Sequence, residues 1–236
     1  MAELAVLDER AVRILDAAAE LLLRWGYRKI TVEDIAREAG VGKGTVYLHW
    51  KTKPDVFYSA FMREGLEWAR ALLARMREDV DCVLPGPMTA AMFLLVMERP
   101  ISRAMFTGNT DMLGDLIDPT SSRPAQIASA SASYGRYLEL LRDNGFIRTD
   151  LTTEELFYLI DASSLGFYFI QDPSPLVTNL SLPARAKMLA DAVDRAIAPA
   201  RKPDRRRLPR LQGAALEVFQ QMEDQMFEVL AKSQVS

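Results

Sequence analysis

A chain of 236 residues with 49% hydrophobic residues is long enough to bury one large core or two modest ones, and no window of it reads as disordered throughout. A formal net charge of -3 and a pI near 5.4 exclude a molecule that binds polyanions over its whole surface. The single Cys82 excludes an internal disulfide, and with no run of about eighteen apolar residues and no basic-then-apolar leader we expect a cytoplasmic protein with no membrane partner.

Asp8 to Trp25 reads as a first helix, because Ile14, Leu15, Ala18, Leu21, Leu22 and Trp25 recur at threes and fours and Gly26 then stops it. Arg28 and Lys29 follow in a short link. Thr31 to Lys53, TVEDIAREAGVGKGTVYLHWKTK, reads as two short helices joined by a tight turn. Thr31 caps the first, with Glu33 and Asp34 in the opening turn where exposed backbone N–H groups favour negative charge. Ala36 is small enough for a second helix to cross it, and Gly40 stands where a chain leaving a helix enters the left-handed region. Val41 plugs the corner. Val46 and Trp50 give the second helix its inner side, while Lys43, Thr45, Tyr47 and His49 look outward. That is a helix-turn-helix, the arrangement in which the second helix enters a major groove and the first crosses the phosphate backbone. Local charge agrees: Arg24 to Asp55 holds seven Lys or Arg against four carboxylates, whereas Phe57 to Ala200 holds 13 basic and 18 acidic residues.

Pro54 and Asp55 open a long helix through Val56, Phe57, Phe61, Leu66, Leu72 and Met76 to about Val80, roughly 40 Å of rod at about 1.5 Å per residue. One rod shared by both halves gives a push at its far end a route to the DNA-reading end. Pro85-Gly86-Pro87 breaks it. Met88 to Met97 is nearly all apolar, so a helix there must be covered on most sides. Ile101 to Ile117, Ala125 to Asp143, a segment capped by Thr152 or Thr153, and one opened by Pro183 and running to Ile197 complete an all-α pattern with no strand-like alternation. The methionines 88, 92, 97, 105 and 112 suit plain core as well as an adaptable apolar pocket. We take Met88, Met92, Phe93, Met105, Phe106 and Met112 as pocket candidates, with Tyr134, Tyr137, Phe167 and Tyr168 as walls or a polar handle. Asp111, Asp115 and Asp118 sit at helical spacing, which fits a solvated face better than a cation site.

Two apolar helices late in the chain are either core or the seam of a dimer, and DNA reading favours the seam because a two-fold dimer reads two half-sites. Leu165, Gly166 and Phe169 on one helix and Val193 and Ile197 on the other are the seam candidates. Pro199 to Arg210 carries six basic residues and one acidic one and reads as an exposed linker. Gln212 to Leu230 then reads as an amphipathic helix that must dock on its own body or on a second subunit. No nucleophile–base pair, phosphate loop or metal-ligand spacing is present, so neither an enzyme nor a cofactor is expected. The expected domains are a helix-turn-helix DNA-binding domain over residues 1–53, a helical ligand-binding and dimerisation domain over 54–199, and the basic linker with the last helix over 200–236.

Residues from about Arg10 to Phe57, containing ILDAAAELLLRWGYRKITVEDIAREAGVGKGTVYLHWKTKPDVF, resemble the DNA-binding domain of the TetR family of bacterial transcriptional regulators. Trp25-Gly26-Tyr27, the Thr31 to Ala36 stretch, Ala39-Gly40-Val41, Lys43-Gly44-Thr45 with Tyr47, and Lys53 carry the likeness. The resemblance implies a homodimeric repressor on a palindromic operator in double-stranded DNA, released by a small molecule that enters the C-terminal domain. It also implies phosphate contacts by Thr31 and Tyr47, a groove position for Lys43, Gly44 and Thr45, and backbone contacts by His49 and Lys53. Gly42 departs from the pattern by replacing a common hydroxyl residue, Trp50 by replacing a commoner Phe, and the chain after Pro199 by its length. The Met- and aromatic-rich middle points to a lipophilic or aromatic effector. The rival expectation is a C-terminal half that binds a protein and no ligand.

Overall fold

A computed structural model describes residues 8–107, 124–170 and 180–233, with residues 124–130 described by their backbone alone. The described residues form ten α-helices and no strand: α1 (Glu9–Trp25), α2 (Val32–Glu38), α3 (Lys43–His49), α4 (Lys53–Glu78), α5 (Pro85–Met97), α6 (Pro100–Phe106), α7 (Pro124–Asp143), α8 (Thr153–Phe169), α9 (Leu182–Ile197) and α10 (Leu208–Lys232). They fall into two compact units. One is drawn from the described residues of Met1–Glu67, Pro100–Ser122 and Asp224–Ser236, the other from those of Trp68–Arg99 and Arg123–Glu223. The continuous helices α4 and α10 contribute to each.

In the first unit, Ile14, Leu15, Leu21 and Leu22 of α1, Ile35 and Ala36 of α2, Val46 of α3, and Trp50 and Phe57 form one buried core. Local chemistry fixes the ends of its helices. Thr31 and Asp34 make a reciprocal capping box on α2, with the Thr31 N–H donating to Asp34 Oδ2 (3.0 Å) and the Asp34 N–H donating to Thr31 Oγ1 (3.1 Å). After α2, Gly40 at φ +66° lets its own N–H reach Arg37 O (3.2 Å) and that of Val41 reach Ala36 O (2.9 Å), a pair of bonds that stops the helix and turns the chain. The next helix, α3, has only 7 residues and no side-chain cap, so the burial of Val46 and Trp50 must hold it.

The far end of the chain completes this core. Leu230 is buried in it, with Met226 and Phe227 packed alongside. A hydrogen-bond chain, buried at its start and half-buried at its end, runs from Trp50 Nε1 to Ser59 Oγ (2.8 Å), on to Ser233 Oγ (2.8 Å), and from there to Leu230 O (2.7 Å). Its direction is determined: the indole only donates and the carbonyl only accepts, so Ser59 gives its proton to Ser233. The last helix, expected to dock on either its own body or a second subunit, docks on its own chain.

In the second unit α5 packs chiefly against α9. Pro85 to Pro87 start α5 as well as ending the previous segment, since a first helical turn needs no N–H donors. The Gly86 N–H donates to Asp194 Oδ1 (3.0 Å), and a Cβ on Gly86 would collide with that carboxylate. Thr152 and Glu155 make a second capping box, on α8. The Arg148 N–H donates to Ile197 O (2.9 Å) and its guanidinium to Ala196 O (3.0 Å), while Asp150 accepts from the same guanidinium and is held at a pKa of about 2 by it. The start of α10 is tied down by Gln212 donating to Met76 O (2.7 Å), and its second half by the Arg70–Glu223 ion pair (2.6 Å). Leu208 and Leu211 are buried, so helix begins inside the stretch whose composition reads as linker. No helix among the described residues is long and apolar enough to cross a membrane.

Candidate nucleic-acid interface

The outward face of α3 presents Lys43, Gly44, Tyr47 and Leu48, all exposed, at positions one turn apart. Lys43 forms an ion pair with Glu33 of α2, and its ammonium lies 5.6 Å from the centre of the Tyr47 ring. The pairing holds the Glu33 carboxyl below its ordinary value and raises that of Lys43. Since both side chains are about half exposed, the bond is an exchangeable one that a phosphate oxygen can replace. Thr45 is half-buried on the edge of the helix. Arg28, Lys29 and Lys51 are exposed in the same unit.

Three expected phosphate contacts are partly committed inside the chain. Thr31 Oγ1 donates its one proton to Asp34 Oδ2 (2.6 Å), and that bond holds the Asp34 carboxyl below its ordinary value. His49 is half-buried, with Nε2 3.7 Å from Asp8 Oδ2 and its ring tilted against Trp50. The Lys53 ammonium donates to Tyr27 O (3.1 Å) and Ile30 O (2.9 Å) and lies 3.9 Å from the centre of the Tyr27 ring. It closes off the carbonyls of the link between α1 and α2, which makes Lys53 in this state a clamp that sets where α2 begins.

Leu48 was absent from the sequence reading of this face. Its signal was available: it lies two residues from both Val46 and Trp50, off the inner side that those two define, and is 79% exposed.

The pocket candidates are divided between the two units. Met88, Met92, Phe93, Tyr134, Tyr137, Phe167 and Tyr168 lie in the second unit, Met105 and Phe106 in the first, and Met112 lies outside the described residues. In the second unit the rings pack on one another, with Phe93 against Tyr168 (5.3 Å between centres), Tyr134 against Tyr137 (5.5 Å) and Phe157 (5.4 Å), and Tyr137 against Phe219 (5.1 Å). Burial pushes the Tyr134, Tyr137 and Tyr168 hydroxyls above their ordinary range, and that of Tyr137 donates to Val83 O (2.9 Å). An open depression in this unit is lined by Arg77, Leu216, Glu217, Gln220 and Gln221, none of them a candidate. Among the seam candidates, Leu165, Gly166 and Phe169 are exposed along α8, as is Tyr158. Val193 and Ile197 are not available to a partner. They are 0% and 2% exposed, because the apolar side of α9 is buried within its own unit, where α5 is its main partner, while Met188 is the large apolar residue that α9 leaves in solvent.

Residues 14–60 match the sequence profile described as bacterial regulatory proteins, tetR family. The uncharacterized HTH-type transcriptional regulator YvkB of Bacillus subtilis (strain 168) is 46% identical over 137 residues, which are 58% of this chain and 70% of that protein. The fatty acid metabolism regulator protein of the same strain is 39% identical over 69 residues, 29% of this chain, so the match spans only 34% of that relative's length. In fold, the crystal structure of the transcriptional regulator FadR from Bacillus subtilis in complex with stearoyl-CoA superposes with a TM-score of 0.59 at 17% identity, over 77% of this chain and 96% of that one. With its helix-turn-helix in place and YvkB matched at 46% identity over 70% of that protein's length, the chain belongs to the TetR family of bacterial regulatory proteins.

Proposed function

We propose that the chain is a DNA-binding transcriptional regulator, acting as a homodimeric repressor on a palindromic operator and released by a small lipophilic or aromatic effector. The observation that carries the DNA reading is the outward face of α3, where Lys43 and Tyr47 stand exposed on a helix whose inner side is locked by Val46 and Trp50. Dimerisation is supported by the exposed apolar row of α8, Tyr158, Leu165 and Phe169, with Gly166 beside it. A Cβ on Gly166 would meet nothing within 4 Å inside the chain, so its smallness serves close approach from outside. The effector class is supported by the Met- and aromatic-rich composition of the second unit and by the stearoyl-CoA bound to FadR, a protein of like fold. Helix α4, continuous from Lys53 to Glu78 with residues in each unit, is the covalent route for release.

A second reading, a ligand-free interaction module, is favoured by the tight packing of Phe93 and Tyr137, both 0% exposed. One experiment serves both: selection of binding sites from random duplex DNA with the full chain, native mass of the complex, and titration of the bound complex with fatty acyl and aromatic compounds. A palindrome carrying two copies and released by such a compound is the expected result. A preferred duplex bound by a single copy sinks the dimer, and one that no apolar compound releases favours the interaction module.

A further inference from the structure

Leu48 is 79% exposed, more than any other large hydrophobic residue among those described, and it stands in the middle of the proposed DNA-reading face. It lies one helical turn after Gly44 on the same side of α3. Gly44 has no positive φ, and a Cβ built there would meet nothing within 4 Å. Neither the backbone nor packing inside the chain therefore calls for glycine at this position. A glycine within a helix lowers its stability relative to alanine, and a helix of 7 residues has little to lose. The bare Cα leaves open space for a group that approaches from outside, on a helix side that also carries Leu48 one turn on and Tyr47, whose ring centre lies 5.6 Å from the Lys43 ammonium.

The geometry points to this Gly44–Leu48 notch as the seat of a thymine 5-methyl group in the major groove, with Leu48 the residue that sets a preference for thymine. The inference rests on the DNA reading proposed above. Leu48 has neither donor nor acceptor, so it discriminates by burying a methyl group, and among the four standard bases only thymine places one in the major groove. Lys43 supplies the positive charge that holds such a base edge and its phosphates alongside.

The test uses the full chain and the duplex recovered by site selection. Each thymine is replaced in turn by deoxyuridine, which removes the methyl group and nothing else. Wild type is expected to lose about fourfold in affinity at one thymine of each half-site. Leu48→Ala, at so exposed a position, keeps its melting temperature and loses the dependence on that methyl. Gly44→Ala raises the melting temperature and weakens binding of the thymine duplex. A flat uracil scan with wild type, a methyl dependence of equal size in Leu48→Ala, or a Gly44→Ala that binds as tightly as wild type overturns the assignment. Recovery of no preferred duplex overturns the DNA reading and the notch with it, and that failure is distinct from a preferred duplex whose thymines do not matter.

Discussion

Among the helices that leave large apolar side chains in water, α3 and α8 differ in the company those side chains keep. On α3, Tyr47 and Leu48 stand beside Lys43, with Lys29 and Lys51 exposed in the same unit. On α8, Tyr158, Leu165 and Phe169 form a row on a helix with Glu154, Glu155 and Asp161 and not one basic residue. Apolar surface mixed with positive charge suits a polyanion that also offers methyl groups, whereas an apolar row without it suits a second copy of itself. Exposure alone would not separate the two faces; the charge around it does.

Charging the α8 row is the strongest way to break that contrast. Leu165→Glu with Phe169→Glu is expected to halve the native mass and to weaken binding of a selected palindrome by at least about a hundredfold, since two linked half-site contacts become one. A double variant that remains a dimer and binds as before would remove α8 from the seam. On the other face, Lys43→Ala is expected to weaken specific binding about tenfold and to make the salt dependence shallower by about one unit per half-site, with unchanged helix content by circular dichroism. An unaltered titration curve would leave Lys43 a solvated lysine paired with Glu33.

Lys53 sharpens the contrast from inside. Its ammonium is engaged by the carbonyls of Tyr27 and Ile30, so Lys53→Met is expected to cost about 1–2 kcal/mol of stability, read by urea denaturation, while the salt dependence of DNA binding stays as in wild type. Undiminished stability with a shallower salt slope would return Lys53 to the phosphate contacts first expected of it.

The same residue shows what a sequence does and does not display. The cap at Thr31, a cap at Thr152 or Thr153 and the turn at Gly40 were legible because each involves partners within a few residues. The clamp of Lys53 was not, because its acceptors lie 23 and 26 residues earlier. Val193 and Ile197 were legible as one apolar side of a helix, but periodicity does not say which body covers that side. Ser59 and Ser233, 174 residues apart, carry no pattern that would join them under Trp50. Leu48 was passed over for a simpler reason. An apolar residue on a polar face looks like noise until its exposure and the empty space over Gly44 are seen together.

The smallest effect concerns the partner that Lys43 leaves behind when it meets DNA. In the free protein Lys43 holds the Glu33 carboxyl below its ordinary value of 4.5, a depressed acid whose pairing is complete above that value and is lost as pH falls through the lowered one. If DNA takes Lys43, Glu33 loses the hydrogen bond that lowered it and gains phosphates nearby, so its pKa in the complex rises. Binding then takes up protons between the two values, and wild-type affinity strengthens as the solution is acidified toward pH 4.5. Glu33→Gln removes both the competition for Lys43 and the repulsion of phosphate. It is expected to bind about two- to threefold more tightly at neutral pH, the scale of one exposed ion pair, and to lose that acid-side gain. Fluorescence anisotropy at pH 7 and pH 5 on both proteins measures each part, and a Glu33→Gln protein that binds no better at neutral pH would mean that Lys43 keeps its carboxylate partner on DNA.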